Sequence, residues 1–452
     1  MTPLTRVAGR SVTTLDGLAD GPGWCASFAA HGAAQCGFCT PGIVMRVAAL
    51  PAPARASAVA VDRALAAHLC RCTGWQPIRD AVAAGPGDSV AGVVSAGAVA
   101  AAGRRATLEG GTPQRVGADI AAGGGGFAED TSPPDALVAV IGVDGEWVVG
   151  SSLAEARRRS DAVPGRRSTV PVSWPLAVAP GDWVRTLRTT WVEPAYLEPD
   201  AAWCVPGGEP ASALANGGAF GAKRASVVGA VARRLADEHG RAVRVVYARE
   251  DVVRRGPKRP PIAAGVRADG TGIVRVVRTP GVAEAVTSVA PDLTVEEVDV
   301  VGPPTSPDLR GAGWVEAAVL LSSLRAGPDT VVAPGGGTAT AWVGDYGVRV
   351  SVGAGDPLDE VVLRSYVTGA AHQALGWVGS EAVAVDAAGV PVDLTIRSFG
   401  ILRASELPPV AIEIEPAGGA PVAVSDAVFA AVAAAAWRHA GFPPEWPLGS
   451  AG

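Results

Sequence analysis

The residues most able to do chemistry in this sequence are its cysteines, five of which lie in the first 72 of 452 residues. Cys36 and Cys39 form a C-x2-C pair, and Cys70 and Cys72 form a C-x-C pair about thirty residues later. Thiolates in two close pairs suit an iron–sulfur cluster or a tetrahedral zinc ion. Four-cysteine zinc sites usually close with a second C-x2-C after about 15–20 residues. The spacing therefore favours iron–sulfur over zinc, and inert buried thiols are a third interpretation.

Helices are needed to bring the two pairs together, and the sequence predicts them over residues 20–84. Thr40 followed by Pro41 is a typical helix start, with apolar residues after it at helical spacing. A second apolar stripe runs from Val61 to Leu69. The helix that begins at Pro41 would point its positive end toward an anionic cluster.

Composition sets the class of protein. Apolar residues make up 48% and charged residues 18% of the chain, which excludes a disordered or coiled-coil protein. The net charge of −6 argues against binding to nucleic acid or to an anionic membrane. No apolar stretch reaches the roughly 18–20 residues of a membrane span. The sequence also shows no basic segment followed by an apolar segment near Met1, the pattern of a secretory signal. We therefore expect a cytoplasmic location, where clustered cysteines more often bind metal than form disulfides.

Beyond the cysteine region the pattern changes. Glycine, alanine and proline dominate residues 85–125, which predicts a linker or loosely ordered connection. Farther on, Asp144-Gly145 and Asp269-Gly270 each separate two short apolar runs, as in β-hairpins. A helical stripe ends at Gly240, and a final helix is predicted to begin at Ser425. The sequence therefore predicts an α+β multidomain protein, in which an N-terminal helical bundle precedes a mixed α/β region.

The residues around both cysteine pairs resemble a known family. Gln35–Gly42 reads QCGFCTPG and Cys70–Gly74 reads CRCTG. With their neighbours over residues 20–84, they resemble the helical [2Fe–2S] domain of the xanthine dehydrogenase/aldehyde oxidase family of molybdenum hydroxylases. The resemblance implies that the four paired cysteines bind one [2Fe–2S] cluster. It also implies that Gln35 and Cys72 contact the pterin of the molybdenum cofactor, so that the cluster is the first electron acceptor.

A glycine-rich segment in the larger region resembles the same family. Gly217–Lys223 reads GGAFGAK, which fails as a P-loop and as a dinucleotide fingerprint. On its own it is a tight turn before a helix or a ligand loop. The family has a similar segment whose backbone approaches the molybdenum ligands, which implies that Gly218, Phe220 and Gly221 bind the cofactor. Glycine suits this role because main-chain N–H groups can then come close to oxygen ligands.

Two catalytic candidates follow from the resemblance. Leu309–Gly313 loosely resembles a family motif whose arginine orients substrate, which implies that role for Arg310, with a surface arginine as the equal alternative. The family's catalytic glutamate lies in a G-x-G-E turn shortly before the last helix, and the stretch before Asp426 lacks it. Glu415 would serve only if the chain folds it back toward Gly217–Lys223. Without a carboxylate base, hydroxylation loses a contribution of typically about 10²–10⁴-fold, so enzymatic activity is left open.

The predicted organisation has five parts. They are the remnant of a ferredoxin-domain end (1–19), the helical [2Fe–2S]-binding domain (20–84), the linker (85–125), a small mixed α/β domain (126–200) and a shortened molybdopterin-binding-like domain (201–452). The first part resembles the end of a ferredoxin domain but lacks its four cysteines. We therefore expect a redox partner subunit that carries this domain, and the alternative is that the natural chain begins earlier and contains the domain itself.

These features lead to two hypotheses of function. The first is an oxidoreductase component that oxidises a small-molecule substrate, an aldehyde or N-heterocycle, and passes the electrons through the cluster. The alternative is a non-catalytic electron-transfer or scaffolding subunit with a degenerate molybdenum region. Retention of Gln35, Cys72 and the Gly217–Lys223 turn favours the first, and loss of the base glutamate favours the second.

Overall fold

The computed structural model describes residues 4–87, 95–161, 170–212, 219–416 and 418–449. These residues form helices, strands and a few short 3₁₀ turns. The helices are α1 (Leu4–Val7), α2 (Gly21–Ala30), α3 (Thr40–Ala48), α4 (Ala52–Arg55), α5 (Ala58–Leu65), α6 (Gln76–Ala84), α7 (Ala96–Gly110), α8 (Ala118–Ala121), α9 (Ala128–Thr131), α10 (Leu153–Arg159), α11 (Val228–His239), α12 (Arg249–Arg255), α13 (Val282–Val289), α14 (Trp314–Ser322), α15 (Glu360–Gly379) and α16 (Ser425–His439). The strands are β1 (Leu137–Ile141), β2 (Trp147–Gly150), β3 (Arg185–Arg188), β4 (Asp200–Cys204), β5 (Ala211–Ser212), β6 (Val243–Tyr247), β7 (Ile262–Val266), β8 (Gly272–Val277), β9 (Leu293–Val298), β10 (Asp329–Val332), β11 (Thr338–Gly344), β12 (Gly347–Gly353) and β13 (Val410–Ile414).

The N-terminal helices form a small bundle around the two cysteine loops. Trp24 and Phe28 of α2 are fully buried in its core. The helix predicted after the first cysteine pair is confirmed as α3, with Pro41 in its first turn. The second predicted stripe is helical only as far as Leu65, where α5 ends. Leu69 lies beyond it, because the chain there turns to bring the second cysteine pair back to the first.

Three sheets form the rest of the fold, with strand orders β2-β1-β6-β4-β5, β3-β7-β8-β9 and β10-β11-β12-β13. Both predicted hairpins are present, as β1–β2 around Asp144-Gly145 and β7–β8 around Asp269-Gly270. The first sheet crosses the boundary predicted at residue 200, because β1 pairs with β6 (Leu137 with Val243). The parts predicted as 126–200 and 201–452 therefore share one sheet.

Two apolar helices lie at the centre of the C-terminal region. α15 and α16 pack against each other, and α16 also lies on β11. The predicted final helix is confirmed as α16, which begins at Ser425 and buries Phe429, Val432 and Ala436. The sequence pattern does not predict α15, because its residues are buried on nearly all sides and leave no polar face. α15 has 20 residues, yet neither it nor any other described helix is long and apolar enough to cross a membrane.

The segment predicted as a linker contains α7, which spans 15 residues and packs against α15. Its alanine content, which the sequence analysis interprets as a loose connection, also makes it a good helix former. Arg105 and Glu109 of α7 are buried. This part of residues 85–125 is therefore a packed element and not a loosely ordered connection.

The N-terminal bundle rests on α15. A Cβ added to Gly369 of α15 would lie 1.8 Å from the carbonyl oxygen of Cys72. A Cβ added to Gly74 would lie 2.5 Å from the carbonyl oxygen of Thr368. The two backbones approach each other at positions where only glycine leaves enough room. The second cysteine loop is therefore held directly against the C-terminal region.

Candidate iron–sulfur site and the adjoining cavity

The four paired cysteines lie together where the N-terminal bundle meets α15. The Sγ atoms of Cys36 and Cys72 are 3.8 Å apart, and the thiols of Cys39 and Cys70 are hydrogen bonded to each other. Three of the four side chains are buried, whereas Cys39 is partly exposed. The two sequence motifs thus produce two thiol pairs, each with one member from either loop.

Hydrogen bonds within the pairs set the protonation of these thiols. The pKa of Cys70 is lowered to about 6, because Cys39 donates to it and Thr73 Oγ1 lies 3.1 Å from its Sγ. The pKa values of Cys39 and Cys72 lie well above the usual thiol value, because each shares its proton with its neighbour and is buried. Loss of the remaining protons would leave several thiolates in one buried place. Such a group is stable only beside a cationic centre.

Two separate pairs are the ligand arrangement of a two-iron cluster, in which each iron takes two protein ligands. The donors are thiols, which suit iron–sulfur chemistry. The residues present therefore fit a [2Fe–2S] cluster better than the mononuclear zinc ion that the spacing left open.

Gln35 lies beside Cys72, as the resemblance implies. Its Nε2 donates to the Cys72 carbonyl oxygen at 3.1 Å and to Ser365 Oγ of α15 at 3.0 Å. Ser365 Oγ donates in turn to the Gly32 carbonyl oxygen at 2.6 Å. Both hydrogens of the Gln35 amide thus bind protein groups. The side chain ties both cysteine loops to α15.

The residue between the second pair of cysteines carries a buried ion pair. Arg71 Nη1 and Nη2 donate to Oε1 and Oε2 of Glu381 at 2.5 and 2.6 Å, and Arg71 Nε donates to the Pro194 carbonyl oxygen at 3.0 Å. Burial raises the pKa of Glu381, an effect that Arg71 opposes. Breaking a buried pair by removing one partner typically costs about 3–5 kcal/mol. The pair therefore fixes this loop against the C-terminal region.

Gln373 of α15 connects the ion pair to Arg310. Its Nε2 donates to the Arg71 carbonyl oxygen at 3.0 Å, and its Oε1 accepts from Arg310 Nε at 2.9 Å. Arg310 is buried, lies 3.5 Å from the centroid of the Phe220 ring and pairs with Asp426 (Nη1 to Oδ1, 3.2 Å). Burial lowers the pKa of Arg310, and Asp426 opposes this. Arg310 is thus not a surface arginine, and the structure brings it to the Phe220 turn.

A cavity of about 300 Å³ lies beside this turn. Phe220 and Gly221 line it, while Gly218 lies outside the described residues. Glu415 does not line it. This residue is exposed just beyond β13, where Ser351 Oγ donates to its Oε1 at 3.4 Å. Because β13 pairs with β12 up to its last residue, the chain is held in the sheet and does not fold Glu415 back toward the turn.

The carboxylate that meets the start of α16 is Glu109 of α7. It accepts hydrogen bonds from the N–H groups of Val424 at 3.1 Å and Ser425 at 2.9 Å, and from the Ser425 hydroxyl at 2.6 Å. It also pairs with Arg105 at 3.0 Å and lines the cavity. This turn is the place where the resemblance locates the family's glutamate. Sequence reasoning missed Glu109, because it lies in an alanine-rich segment that only the fold brings here.

Tyr366 of α15 lies near both the cysteine site and the Phe220 turn. Its buried ring packs with Phe220 and with two alanines of α7. Burial raises the pKa of Tyr366, and so do the nearby charges of Cys72 and Glu109.

Comparison with known proteins supports the cysteine site. Residues 14–83 match the domain family described as "[2Fe-2S] binding domain". The chain is 41% identical over 80 residues to the xanthine dehydrogenase iron-sulfur-binding subunit of Escherichia coli O157:H7, which covers 16% of this chain and 50% of that protein. It is 41% identical over 85 residues to the nicotine 6-hydroxylase small subunit of Paenarthrobacter nicotinovorans, with 18% and 50% covered. For the xanthine dehydrogenase of Emericella nidulans the values are 44% over 86 residues, with 18% and 6% covered. The chain thus spans half or less of these curated relatives.

Solved structures resemble nearly the whole fold. The aldehyde oxidoreductase of Desulfovibrio gigas matches with a TM-score of 0.70 and 14% identity, over 96% of this chain and 90% of that chain. The aldehyde oxidoreductase of Desulfovibrio desulfuricans matches with a TM-score of 0.66 and 14% identity, over the same 96% and 90%. At this identity the likeness concerns the fold alone. The chain carries a [2Fe–2S] binding domain of the xanthine dehydrogenase/aldehyde oxidase type, within a fold that resembles the aldehyde oxidoreductases.

Proposed function

We propose that this chain is an electron-transfer component of an oxidoreductase of the xanthine dehydrogenase/aldehyde oxidase type. Its [2Fe–2S] cluster would be held by Cys36, Cys39, Cys70 and Cys72. The observation that carries the proposal is the presence of two thiol pairs in the N-terminal bundle beside α15, one of them with Sγ atoms 3.8 Å apart. The domain family that matches residues 14–83 supports it.

In this proposal each thiol pair holds one iron. Cys36 and Cys72 would bind the inner iron, since both lie near the buried Tyr366. Cys39 and Cys70 would bind the outer iron, since Cys39 is the partly exposed member of the set. Cys36 and Cys72 would therefore be the ligands nearer the interior, and Cys39 and Cys70 the ligands nearer the surface.

The surroundings of the outer pair favour the reduced state. Thr73 Oγ1 lies 3.1 Å from Cys70 Sγ, and its hydroxyl must be the donor when Cys70 is a thiolate. Hydrogen bonds to cluster sulfurs stabilise the more negative, reduced cluster and raise its reduction potential. Thr73 is thus a positioning and tuning residue in this proposal, and Thr73→Val should lower the potential.

The resemblance also implies molybdopterin, and Gly218, one of its expected contacts, lies outside the described residues. The Gln35 amide already binds two protein groups. The cavity beside Phe220 is lined by three carboxyl groups, and each of them pairs with an arginine. We derive no step through this group, and its presence on this chain stays a prediction.

We infer that the other redox centres belong to partner subunits. Two of the relatives are named as subunits, an iron-sulfur-binding subunit and a small subunit, which supports an assembly of several chains. Oxidation of an aldehyde or N-heterocycle would then take place on a partner, and a cytoplasmic location is the setting we propose.

The direct test is anaerobic purification of the full chain, followed by measurement of iron, sulfide, zinc and molybdenum per chain. About two irons and two sulfides per chain are expected, with an electron paramagnetic resonance signal after reduction. Cys39→Ser and Cys72→Ser should lose or destabilise the cluster. Cys204→Ser removes a buried thiol of β4 and should keep it. Stoichiometric zinc without iron would contradict the proposal, and one molybdenum per chain would show that this chain also binds the molybdenum cofactor.

A further inference from the structure

The outer edge of the cysteine site reaches the surface at the loop between α2 and α3. Cys39 is the only one of the four paired cysteines with partial exposure. The neighbouring Phe38 is 42% exposed, although large aromatic side chains are mostly buried. The loop is held in place by Gly37, whose φ is +80° and where an added Cβ would lie 2.1 Å from the Ile120 carbonyl oxygen. Phe38 is therefore presented to solvent by a fixed backbone.

Phe38 forms one wall of a surface groove of about 210 Å³. Phe127 also lines the groove, and its ring packs edge-to-face on that of Phe38, with the ring centroids 5.5 Å apart and the ring planes at 88°. The remaining lining residues are Gly37, Pro41, Gly123, Glu129, Asp130 and Pro199. We call this surface the Phe38 groove. It combines apolar walls with the carboxyl groups of Glu129 and Asp130. Phe38 itself is the residue next to Cys39, a proposed cluster ligand.

The charge of the groove suits a basic partner. Asp130 is exposed and has no ion-pair partner among the residues that the structure describes. A [2Fe–2S] cluster with four thiolate ligands is itself an anion, since two ferric ions do not balance two sulfides and four thiolates. Cations around the redox centre of a partner would therefore be attracted to this loop.

We propose that the Phe38 groove is the electron-exit surface of the cluster and docks a redox protein whose own centre is ringed by basic side chains. This rests on the proposed function, since it requires the cluster. An exposed aromatic residue is the kind of side chain that anchors an interface, and an unpaired carboxylate steers a basic partner. Transient redox encounters bury less than about 1,200 Å², so a shallow groove is sufficient.

Cytochrome c, a basic one-electron acceptor, is the probe for this proposal. One electron leaves the reduced cluster and converts ferric haem to ferrous haem, while no bond forms or breaks and no proton moves. The reduced full chain is mixed with oxidised cytochrome c in a stopped-flow instrument, and the second-order rate constant is read from the haem absorbance. A small neutral quinone serves as a second acceptor that needs no docking surface.

Phe38→Ala should lower the rate constant with cytochrome c about tenfold, as expected for loss of an aromatic anchor. Asp130→Lys should lower it at low salt and weaken its dependence on ionic strength. Tyr346→Ala removes a 95% exposed aromatic residue between β11 and β12 and should change nothing. None of the three variants should alter the rate with the quinone.

Equal rates with cytochrome c for the wild type, Phe38→Ala and Asp130→Lys would overturn the proposal. If Phe38→Ala also slows electron transfer to the quinone, the substitution has damaged the cluster itself. The result with Asp130→Lys then decides on the docking surface, because Asp130 lies outside the cysteine loop. Failure of the proposed function is distinguishable, since no iron–sulfur absorbance would then bleach on reduction in any variant.

Discussion

Glu109→Gln tests whether α7 is an integral part of the fold. Arg105 Nη1 and Glu109 Oε1 are 3.0 Å apart, and both side chains are 0% exposed. Two unit charges at this distance interact by about 5 kcal/mol at an effective dielectric constant of about 20. Glutamine keeps one oxygen to accept from the Ser425 N–H but removes the only carboxylate that the described residues place beside the buried Arg105, which then has only backbone carbonyl oxygens as acceptors. Because such losses typically cost about 3–5 kcal/mol, we expect the free energy of unfolding to fall by about 3 kcal/mol.

Differential scanning calorimetry of the full chain measures the effect. A loss of about 3 kcal/mol corresponds to a melting temperature lower by roughly 6–12 °C for a region of this size. The matched control is Glu238→Gln in α11, because Arg234 and Glu238 have the same i,i+4 spacing but are about half exposed. Exposed pairs of this kind contribute about 0.5 kcal/mol or less. If the two variants melt at the same temperature, the reasoning about the buried pair is refuted.

Three further predictions concern the seam with α15, a buried histidine and the metal. Gly369→Ala would bring a Cβ within 1.8 Å of the Cys72 carbonyl oxygen, so its cluster absorbance should decay faster in air; Gly379→Ala, with nothing within 4 Å, should behave as wild type. Burial lowers the pKa of His372 to about 4, while the unfolded chain binds that proton near 6.5. The free energy of unfolding should therefore fall by about 3 kcal/mol as the pH drops from about 6.5 to 4. Urea titrations at several pH values measure this fall, and the same fall in His372→Asn would show that His372 is not its cause. Iron removal by a chelator should lower the melting temperature followed by circular dichroism, because the cluster binds only the folded bundle; an unchanged melting curve would disprove this.

The elements that the sequence predicts well are those with local chemical signals. The Asp-Gly turns predict two hairpins because they supply the positive φ that tight turns need. Gly240 marks the end of α11 in the same way, with a φ of +60°. Such signals depend only on neighbours along the chain, so they are readable without the rest of the fold.

The elements that escape prediction lack such signals. α15 is buried on nearly every side, and its polar residues are spread around the helix, so it has no single polar face to reveal a helical period. α7 is rich in alanine and glycine, which suggests a flexible connection until the packing partner is known. Both helices nevertheless position the site, since α15 carries the cysteine bundle and α7 supplies Glu109.

The candidate site shows the same division. The spacing of the cysteines predicts a metal cluster, and the resemblance to the family extends this to Gln35, which the structure places beside Cys72. The contacts that hold the site join residues far apart in sequence. Arg71 and Glu381 are 310 positions apart, and no local pattern connects them. Tertiary packing alone identifies these residues.

The position of Glu109 explains how the fold retains a carboxylate at the turn where the resemblance expects a base. The first N–H groups of a helix have no partner within the helix, and those at Val424 and Ser425 are buried. Glu109 satisfies them from α7, together with the Ser425 hydroxyl and Arg105. A carboxylate that accepts from four donors in this way holds the start of the helix in place. The structural requirement of α16 thus accounts for the burial of Glu109 at this turn.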